Sequence, residues 1–358
     1  MPRVLRPHRF KRSGRTRRRA NAAFAVVVIA LTTVVASACD PAPPAAPARQ
    51  PLFAWVGGNE LDMLAHGQAP SGVTLDRMQS SGVSGVVAST GLLDGATPPA
   101  PVFDLWRSVR ERGMSLYLST IIASPSAPFA DLFDDGAWGV VMQRLQSLAA
   151  NARNGNANGL ALDLENYGSS SAMWSVAYPG NAHGADETRA KMRDRARQMA
   201  PILAGAGPLI IYPSSIASFP GSYNDIVHAA AGNGTNVYAD NMFPDFLRGL
   251  LDEGVQVTLV DGVFASGPQA PGRTWESGTQ ESVSLATSAF PGIRASIMLW
   301  PDNPARGTFS PSEMRSASDA GTRLSSGPVI LYEQTLAFGG LGYDWFATLD
   351  ALKAGTGS

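Results

Sequence analysis

A strict alternation of apolar and polar residues between positions 160 and 165 constrains the fold more than any other stretch. The two faces are Leu160, Leu162 and Leu164 on one side, and Ala161, Asp163 and Glu165 on the other. A period of two residues predicts a β-strand. Residues on one strand face repeat about every 6.5–7 Å, so Asp163 and Glu165 are stacked neighbours. In a parallel α/β barrel both carboxylates would face the interior, with Glu165 at the C-terminal mouth.

Short apolar runs alternate with amphipathic helical patterns over the rest of the chain, which is typical of repeated βα units. Eight runs predict strands, namely Leu52–Val56, Gly85–Ala88, Ser115–Ile122, the strand around Leu162, Pro208–Tyr212, Asn236–Asp240, Ile293–Trp300 and Pro328–Glu333. A ninth run, Val255–Val260, is interpreted as part of broken helical segments around Gly254, because it exceeds an eightfold count. The predicted fold is a single-domain α/β structure, a (β/α)8 barrel over residues 52–358.

The two carboxylates of the fourth strand also carry a resemblance to a known family. Residues 158–165 resemble the signature D-G-x-D-x-D-x-E of family 18 glycoside hydrolases, the chitinases and endo-β-N-acetylglucosaminidases. Asn158 and Ala161 stand where the family has its first and second Asp. The resemblance implies a TIM-barrel glycosidase in which Glu165 is the general acid/base. It also implies that Asp163 orients the acetamido group of the substrate, whose oxygen acts as the nucleophile.

Further acidic and aromatic residues stand at the predicted carboxyl ends of the strands, which meet at one mouth in a barrel. Glu333 and Asp240 are the candidates for an additional catalytic carboxylate. The candidate substrate-binding residues are Trp55, Glu60, Tyr167, Tyr212, Tyr238, Asn241, Trp300 and Tyr332. Carboxylates perform proton transfer at a glycosidic bond, and flat aromatic rings stack on the apolar faces of sugars. The predicted ligand is therefore a carbohydrate.

The N-terminal 39 residues have the composition of a secretory signal. Nine Arg or Lys residues precede position 20, an apolar run covers Ala20–Val35, and small residues lead to Cys39, the only cysteine. This order of basic, apolar and small residues predicts an export signal. Its end resembles a bacterial lipobox, which implies that Cys39 is lipidated and holds an exported protein on the outer face of the cell membrane. An ordinary signal cleaved nearby and an uncleaved membrane anchor are the alternatives. Residues 40–51, rich in Pro and Ala, predict an extended tether.

Charge and histidine spacing exclude other classes of function. Nine of the 28 basic residues belong to the signal, which leaves 19 against 29 acidic residues. That balance argues against nucleic acid as a partner. His66, His183 and His228 are not spaced as a metal motif, and no phosphate-binding or dinucleotide-binding motif stands in the required context. We therefore expect neither a metal nor an organic cofactor.

Three functions remain open at this point. The first is a membrane-anchored glycoside hydrolase with Glu165 as general acid/base. The second is a non-catalytic barrel that binds a glycan or a cell-wall polymer, which Ala161 in place of Asp favours. The third is a structural envelope lipoprotein whose mouth is filled by the long loop Gly168–Gly184.

Overall fold

The computed structural model describes residues 48–122, 131–164, 174–213, 241–261, 272–302, 308–332, 335–339 and 342–355. Within these ranges eight strands pair in parallel and in chain order, and the eighth strand pairs with the first. The strands are β1 (Leu52–Val56), β2 (Val83–Leu92), β3 (Ser115–Ile121), β4 (Gly159–Asp163), β5 (Leu209–Tyr212), β6 (Val257–Asp261), β7 (Arg294–Leu299) and β8 (Val329–Tyr332). The sheet is a closed barrel, so the predicted fold is confirmed.

Nine helices in the described ranges surround this barrel. They are α1 (Gly58–His66), α2 (Leu75–Ser80), α3 (Ala100–Glu111), α4 (Asp135–Asn154), α5 (Ala185–Ala204), α6 (Phe243–Asp252), α7 (Trp275–Ala289), α8 (Pro311–Leu324) and α9 (Trp345–Gly355). Several of them begin at side chains that accept backbone N–H groups. Ser310 accepts the N–H of Glu313 before α8, and Asp134 accepts the N–H groups of Gly136 and Ala137 before α4. Such caps satisfy donors that have no partner inside the helix.

Alternating side chains of each strand divide the apolar residues into two cores. Leu160, Leu162 and Leu164 belong to the larger core between strands and helices. Ala161 belongs to the smaller one, which fills the barrel interior. Because Asp163 lies two residues beyond Ala161 on the same strand, its side chain faces the interior as well. The predicted orientation of β4 is confirmed.

The prediction for the sixth strand is wrong. Val257–Asp261 forms β6 and pairs with β5 and β7, although Val255–Val260 was expected to be part of broken helical segments. Asn236–Asp240, the expected strand, lies outside the described residues. The physical reason is that β6 is buried on both faces. Leu259 belongs to the larger core between strands and helices, and Val260 belongs to the smaller core inside the barrel. A strand of this kind shows no polar alternation in sequence, so a short apolar run does not identify it.

The chain enters the barrel at the amino ends of the strands. Gln50 donates its N–H to the carbonyl of Thr322 at 2.7 Å, and Arg49 forms an ion pair with Asp319 at 2.8 Å. Pro51 accepts the N–H of Val329 at 2.9 Å, at the start of β8. These contacts fix the last residues of the predicted tether on the face opposite to the mouth.

Candidate functional site

Asp163 is the last residue of β4 and lies at the carboxyl end of the barrel. Its Cα is paired with Ile121 of β3 on one side and with Tyr212 of β5 on the other. Only 7% of the residue is exposed. A carboxylate this deeply placed is shielded from bulk water, which strengthens its interactions with any polar group that enters the mouth.

Four aromatic side chains converge at the same end of the barrel. The rings of Trp55 and Tyr212 meet edge to face across the interior, with centroids 5.9 Å apart. Those of Trp300 and Tyr332 meet edge to face at 5.1 Å. The strand pairing links the two pairs, because the Cα of Trp55 is the partner of that of Tyr332. Edge-to-face pairs are a favourable geometry for aromatic rings.

These aromatic rings differ in how open they are to solvent. Trp55 and Tyr212 are each 4% exposed and belong to the inner core, whereas Trp300 and Tyr332 are half-buried and pack against its upper edge. Tyr212 is also the strand neighbour of Asp163. The arrangement therefore provides an aromatic floor beside a buried carboxylate, with two more accessible rings on the β7–β8 side.

Ala161 lies one interior position below Asp163, towards the amino ends of the strands. It is fully buried in the inner core, and its Cα is the partner of that of Ser119 in β3. A methyl group at this position cannot exchange a proton with Asp163. Asn158, at the start of the same motif, accepts the N–H of Leu116 on its side-chain oxygen at 2.8 Å and thus serves the β3–β4 pairing.

Two further predicted site residues act at helix starts. The carboxylate of Glu60 accepts the N–H of Gly57 at 2.5 Å at the start of α1, next to the end of β1. The side-chain oxygen of Asn241 accepts the N–H of Phe243 at 2.7 Å, at the start of α6. Asn241 also forms an antiparallel bridge with Ser175. It does not end the sixth barrel strand as expected, because that strand is Val257–Asp261.

Six other predicted residues stay predictions. Glu165, Tyr167, Tyr238, Asp240, Glu333 and Cys39 lie outside the described residues. Of the predicted set, the structure thus brings together Asp163, Trp55, Tyr212, Trp300 and Tyr332.

A buried network supports the β8 side of the mouth and was not predicted as such. Asp302, fully buried after β7, accepts the N–H and the hydroxyl of Thr335, both at 2.8 Å. Trp345 donates its indole N–H to the same hydroxyl at 2.8 Å. The sequence held a signal for this, since Asp302 precedes an Asn-Pro pair typical of a turn. The network fixes the chain at Thr335, three residues after Tyr332.

The segment between β4 and α5 is attached to a neighbouring loop through Asp131 and Phe133. Tyr178 donates its hydroxyl to Asp131 at 2.7 Å, and the ring of His183 stacks on that of Phe133 with centroids 3.5 Å apart. The pKa of Asp131 is lowered, first by the N–H of Phe133 and then by Tyr178. Burial, followed by the bond to Asp131, raises the pKa of Tyr178. The hydroxyl of Tyr178 therefore stays protonated at physiological pH.

The same segment is attached to α6 on its other side. Trp174 accepts the N–H of Met242 on its carbonyl at 2.7 Å, and its ring packs edge to face on Phe246 at 5.4 Å. Residues 174–183 of the long loop after β4 are thus held by contacts on two sides. In the described ranges no three acidic, His or Cys side chains are grouped as metal ligands would be. None of the helices described there has the length and apolarity needed to cross a membrane.

Comparison with known proteins finds similar solved structures but does not identify a protein family for this chain. No protein-family model matches the chain, and no curated protein matches it. Among solved structures, a class V chitinase from Pseudomonas fluorescens Pf-5 is 14% identical, with a TM-score of 0.44 over 85% of this chain and 99% of that one. PbGH5A, a glycoside hydrolase family 5 enzyme from Prevotella bryantii B14, is 11% identical, with a TM-score of 0.48 over 86% and 96%.

A D-allulose 3-epimerase from Methylomonas sp. is also 11% identical, with a TM-score of 0.44 over 86% of this chain and 97% of that one. The eight-stranded barrel of this chain is established by its own strand pairing, and barrels in general host many chemistries.

Proposed function

We propose that this protein is an exported glycoside hydrolase that acts on an oligo- or polysaccharide at the carboxyl-end mouth of its barrel. The observation that carries the proposal is that the buried Asp163, with Tyr212 as its strand neighbour, lies at the same barrel end as four aromatic side chains. A sugar ring presents apolar C–H faces and polar hydroxyl edges. Stacked rings bind the faces, and carboxylates bind the edges and transfer protons.

Glu165 is the proposed general acid/base. It follows Asp163 by two residues, which keeps it on the interior side if the strand geometry continues. A carboxylic acid that donates a proton near neutral pH needs a raised pKa, and a second carboxylate close by has that effect. Asp163 then has two roles: it keeps the pKa of Glu165 high and it orients the substrate.

The presence of a further carboxylate, and its distance from Glu165, distinguishes three catalytic routes. Glu333 and Asp240 are the candidates. A nucleophile in a retaining mechanism lies about 5–5.5 Å from the acid, and a base in an inverting mechanism about 6.5–9.5 Å away. Substrate-assisted catalysis, as the family 18 resemblance implies, requires neither and instead uses the acetamido group held by Asp163.

A non-catalytic glycan-binding barrel is the second candidate, and Ala161 favours it. The methyl group lies fully buried where the family 18 signature carries an Asp, directly below Asp163. Loss of that proton partner weakens a hydrolase more than a binding protein. Affinity for a glycan should then survive Glu165→Gln, and the parent should show no hydrolysis.

Export and membrane attachment belong to the same proposal. The basic, apolar and small-residue segments before Cys39 support a lipid anchor on the outer face of the cell membrane. Mass spectrometry of Cys39 after expression in a bacterial host tests this directly. A mature N-terminus at any residue other than Cys39, without acyl chains, would contradict it.

Hydrolysis of a glycan panel by the soluble domain from Asp40 onward tests the catalytic proposal. The panel contains chitin oligomers, peptidoglycan, and neutral α- and β-glucans, each assayed with the parent, Glu165→Gln and Asp163→Asn. Loss of a general acid lowers rates by roughly 10²–10⁴-fold, so we expect that loss in Glu165→Gln. Binding without turnover by all three proteins favours the second candidate. Neither turnover nor binding leaves a structural envelope protein.

A further inference from the structure

Two adjoining cavities form a groove beside α3, and neither belongs to the interior of the barrel. The first, of about 360 Å³, lies between the start of α1 and α3, and reaches the rim of the mouth at Gly58 and Ser89. The second, of about 250 Å³, continues between α3 and α4. Both are lined by Thr90, Pro98 and Trp106. The first cavity alone falls within the roughly 300–1,000 Å³ that is usual for ligand-binding pockets.

The loop that forms one wall of this groove, residues 93–99, is held in place before any ligand binds. Leu93 donates its N–H to the carbonyl of Ile121 at 3.1 Å, and Asn151 donates its side-chain amide to the carbonyl of Ala96 at 3.0 Å. The N–H of Ala96 bonds to Asp94 at 2.8 Å, which closes a tight turn. Two prolines at the end of the loop fix their own backbone angles. A preformed wall lowers the entropic cost of binding.

The lining residues combine short polar side chains with apolar surfaces. Asn59 and Thr97 are exposed, and their side chains make no hydrogen bond within the described residues. Proline rings supply the apolar surface, and Trp106, which is 4% exposed, borders it. The charged residues among the described lining are Asp62 and Asp94, which are both acidic. Phosphate-bearing or otherwise anionic polymers are therefore disfavoured, because their charge would be repelled.

We propose that this groove is a second carbohydrate-binding site, for a neutral glycan chain that extends from the mouth over the rim at Ser89 and along α3. Amide and hydroxyl side chains exchange hydrogen bonds with sugar hydroxyls, and the proline rings contact the apolar faces of the sugars. The inference rests on the proposed function and deepens it. It assigns the substrate to polymers, because a single sugar unit in the mouth would not reach the groove.

Binding of short and long oligosaccharides separates the groove from the mouth. The probes are chitohexaose and cellohexaose together with their disaccharides, measured by titration calorimetry on the Glu165→Gln protein so that no cleavage occurs. The test variant adds Asn59→Ala and Asp62→Ala. We expect its hexasaccharide affinity to fall about tenfold through lost hydrogen bonds, with disaccharide affinity unchanged. The matched control adds Asn154→Ala and Asp104→Ala, two exposed residues outside the groove, and should bind as the background protein does.

The indole N–H resonance of Trp106, identified with Trp106→Phe, reports on the groove itself. It should shift with hexasaccharide and not with disaccharide. Equal hexasaccharide affinity in test and control variants overturns the groove, as does the absence of hexasaccharide binding. Hexasaccharide binding that needs Asn59 and Asp62, in a protein whose parent hydrolyses nothing, supports the groove and contradicts the hydrolase. If the parent hydrolyses a glycan and the groove variants bind hexasaccharide normally, the hydrolase is supported and the groove is contradicted.

Discussion

Gly159, at the start of β4, occupies a position with no room for a side chain. A Cβ there would lie 2.1 Å from the carbonyl oxygen of Pro208 and 2.7 Å from the ring of Tyr117. The glycine of the family 18 signature thus has a packing reason in this chain. We expect Gly159→Ala to lower the free energy of unfolding by about 1–3 kcal/mol, as overpacking does, because a backbone atom cannot move aside as a side chain does. Urea denaturation measures the change.

Gly139 is the matched control for that substitution. It lies in α4, is exposed, and has no neighbour within 4 Å of the position of a Cβ. Gly139→Ala should raise the free energy of unfolding by about 0.5–1 kcal/mol, since alanine is the better helix former. A Gly159→Ala protein as stable as the parent would mean that β4 and β5 can separate without loss.

Some site residues were predictable singly, but their contacts were not. The alternation around Leu162 gave the direction of the Asp163 side chain, because strand geometry alone determines it. The contact of Trp55 with Tyr212 joins β1 to β5 across the barrel, and no local pattern contains that distance. Glu60 has a clearer local signal, since a Glu three residues after the residue that precedes a helix can accept the backbone N–H of that residue.

At the scale of elements, α5 and α6 are joined by an exposed charge cluster around Asp252. Arg193 donates to this carboxylate at 2.7 and 2.9 Å, and Arg197 at 2.7 Å. The bond from Arg193 is the main reason that the pKa of Asp252 falls to about 2. A carboxyl whose pKa is lower in the folded state stabilises the fold above its unfolded pKa, near 3.9, and loses this effect as the pH falls towards 2.

Asp252→Asn should therefore lower the free energy of unfolding at pH 7, by no more than about 1 kcal/mol since the cluster is exposed and screened by salt. The difference from the parent should shrink as the pH falls from 4 to 2. Urea denaturation at pH 7, 4, 3 and 2, with and without 0.5 M NaCl, measures it. Asp104→Asn, which removes an exposed carboxylate 2.9 Å from Arg107, is the control. A constant difference over this pH range would contradict the assigned role of Asp252.

The same region shows why one strand was misplaced from sequence. The helix α6 ends just before Gly254, whose φ of +75° is a typical backbone conformation after a helix end. A βα repeat requires a strand next, and Val257–Asp261 follows after two residues. Periodicity within the strand could not show this, because both of its faces are buried. The alternation of strands and helices along the chain therefore indicates β6, although the residue pattern within the strand does not.

At the scale of the whole molecule, the face at which the chain joins the barrel determines which way the mouth would point if the protein carried a lipid anchor. Arg49, Gln50 and Pro51 contact the amino-end face through Asp319, Thr322 and Val329. Ala48 lies nine residues along the chain from Cys39, and an extended chain advances at most about 3.6 Å per residue, roughly 32 Å in all. If Cys39 carries lipid, the amino-end face should lie nearer to the membrane and the mouth should open away from it, towards extracellular polymer.

Fluorophores on opposite faces of the lipidated protein test this orientation in vesicles that contain nitroxide-labelled headgroups. Glu253→Cys places a label just before β6, on the amino-end face, and Thr97→Cys places one after β2, on the mouth side. Quenching falls steeply with distance, so the label at 253 should be quenched more than the label at 97. The soluble domain from Asp40, which has no anchor, should show equal and weak quenching at both positions. Stronger quenching at 97 would place the mouth against the bilayer and would contradict a substrate outside the membrane.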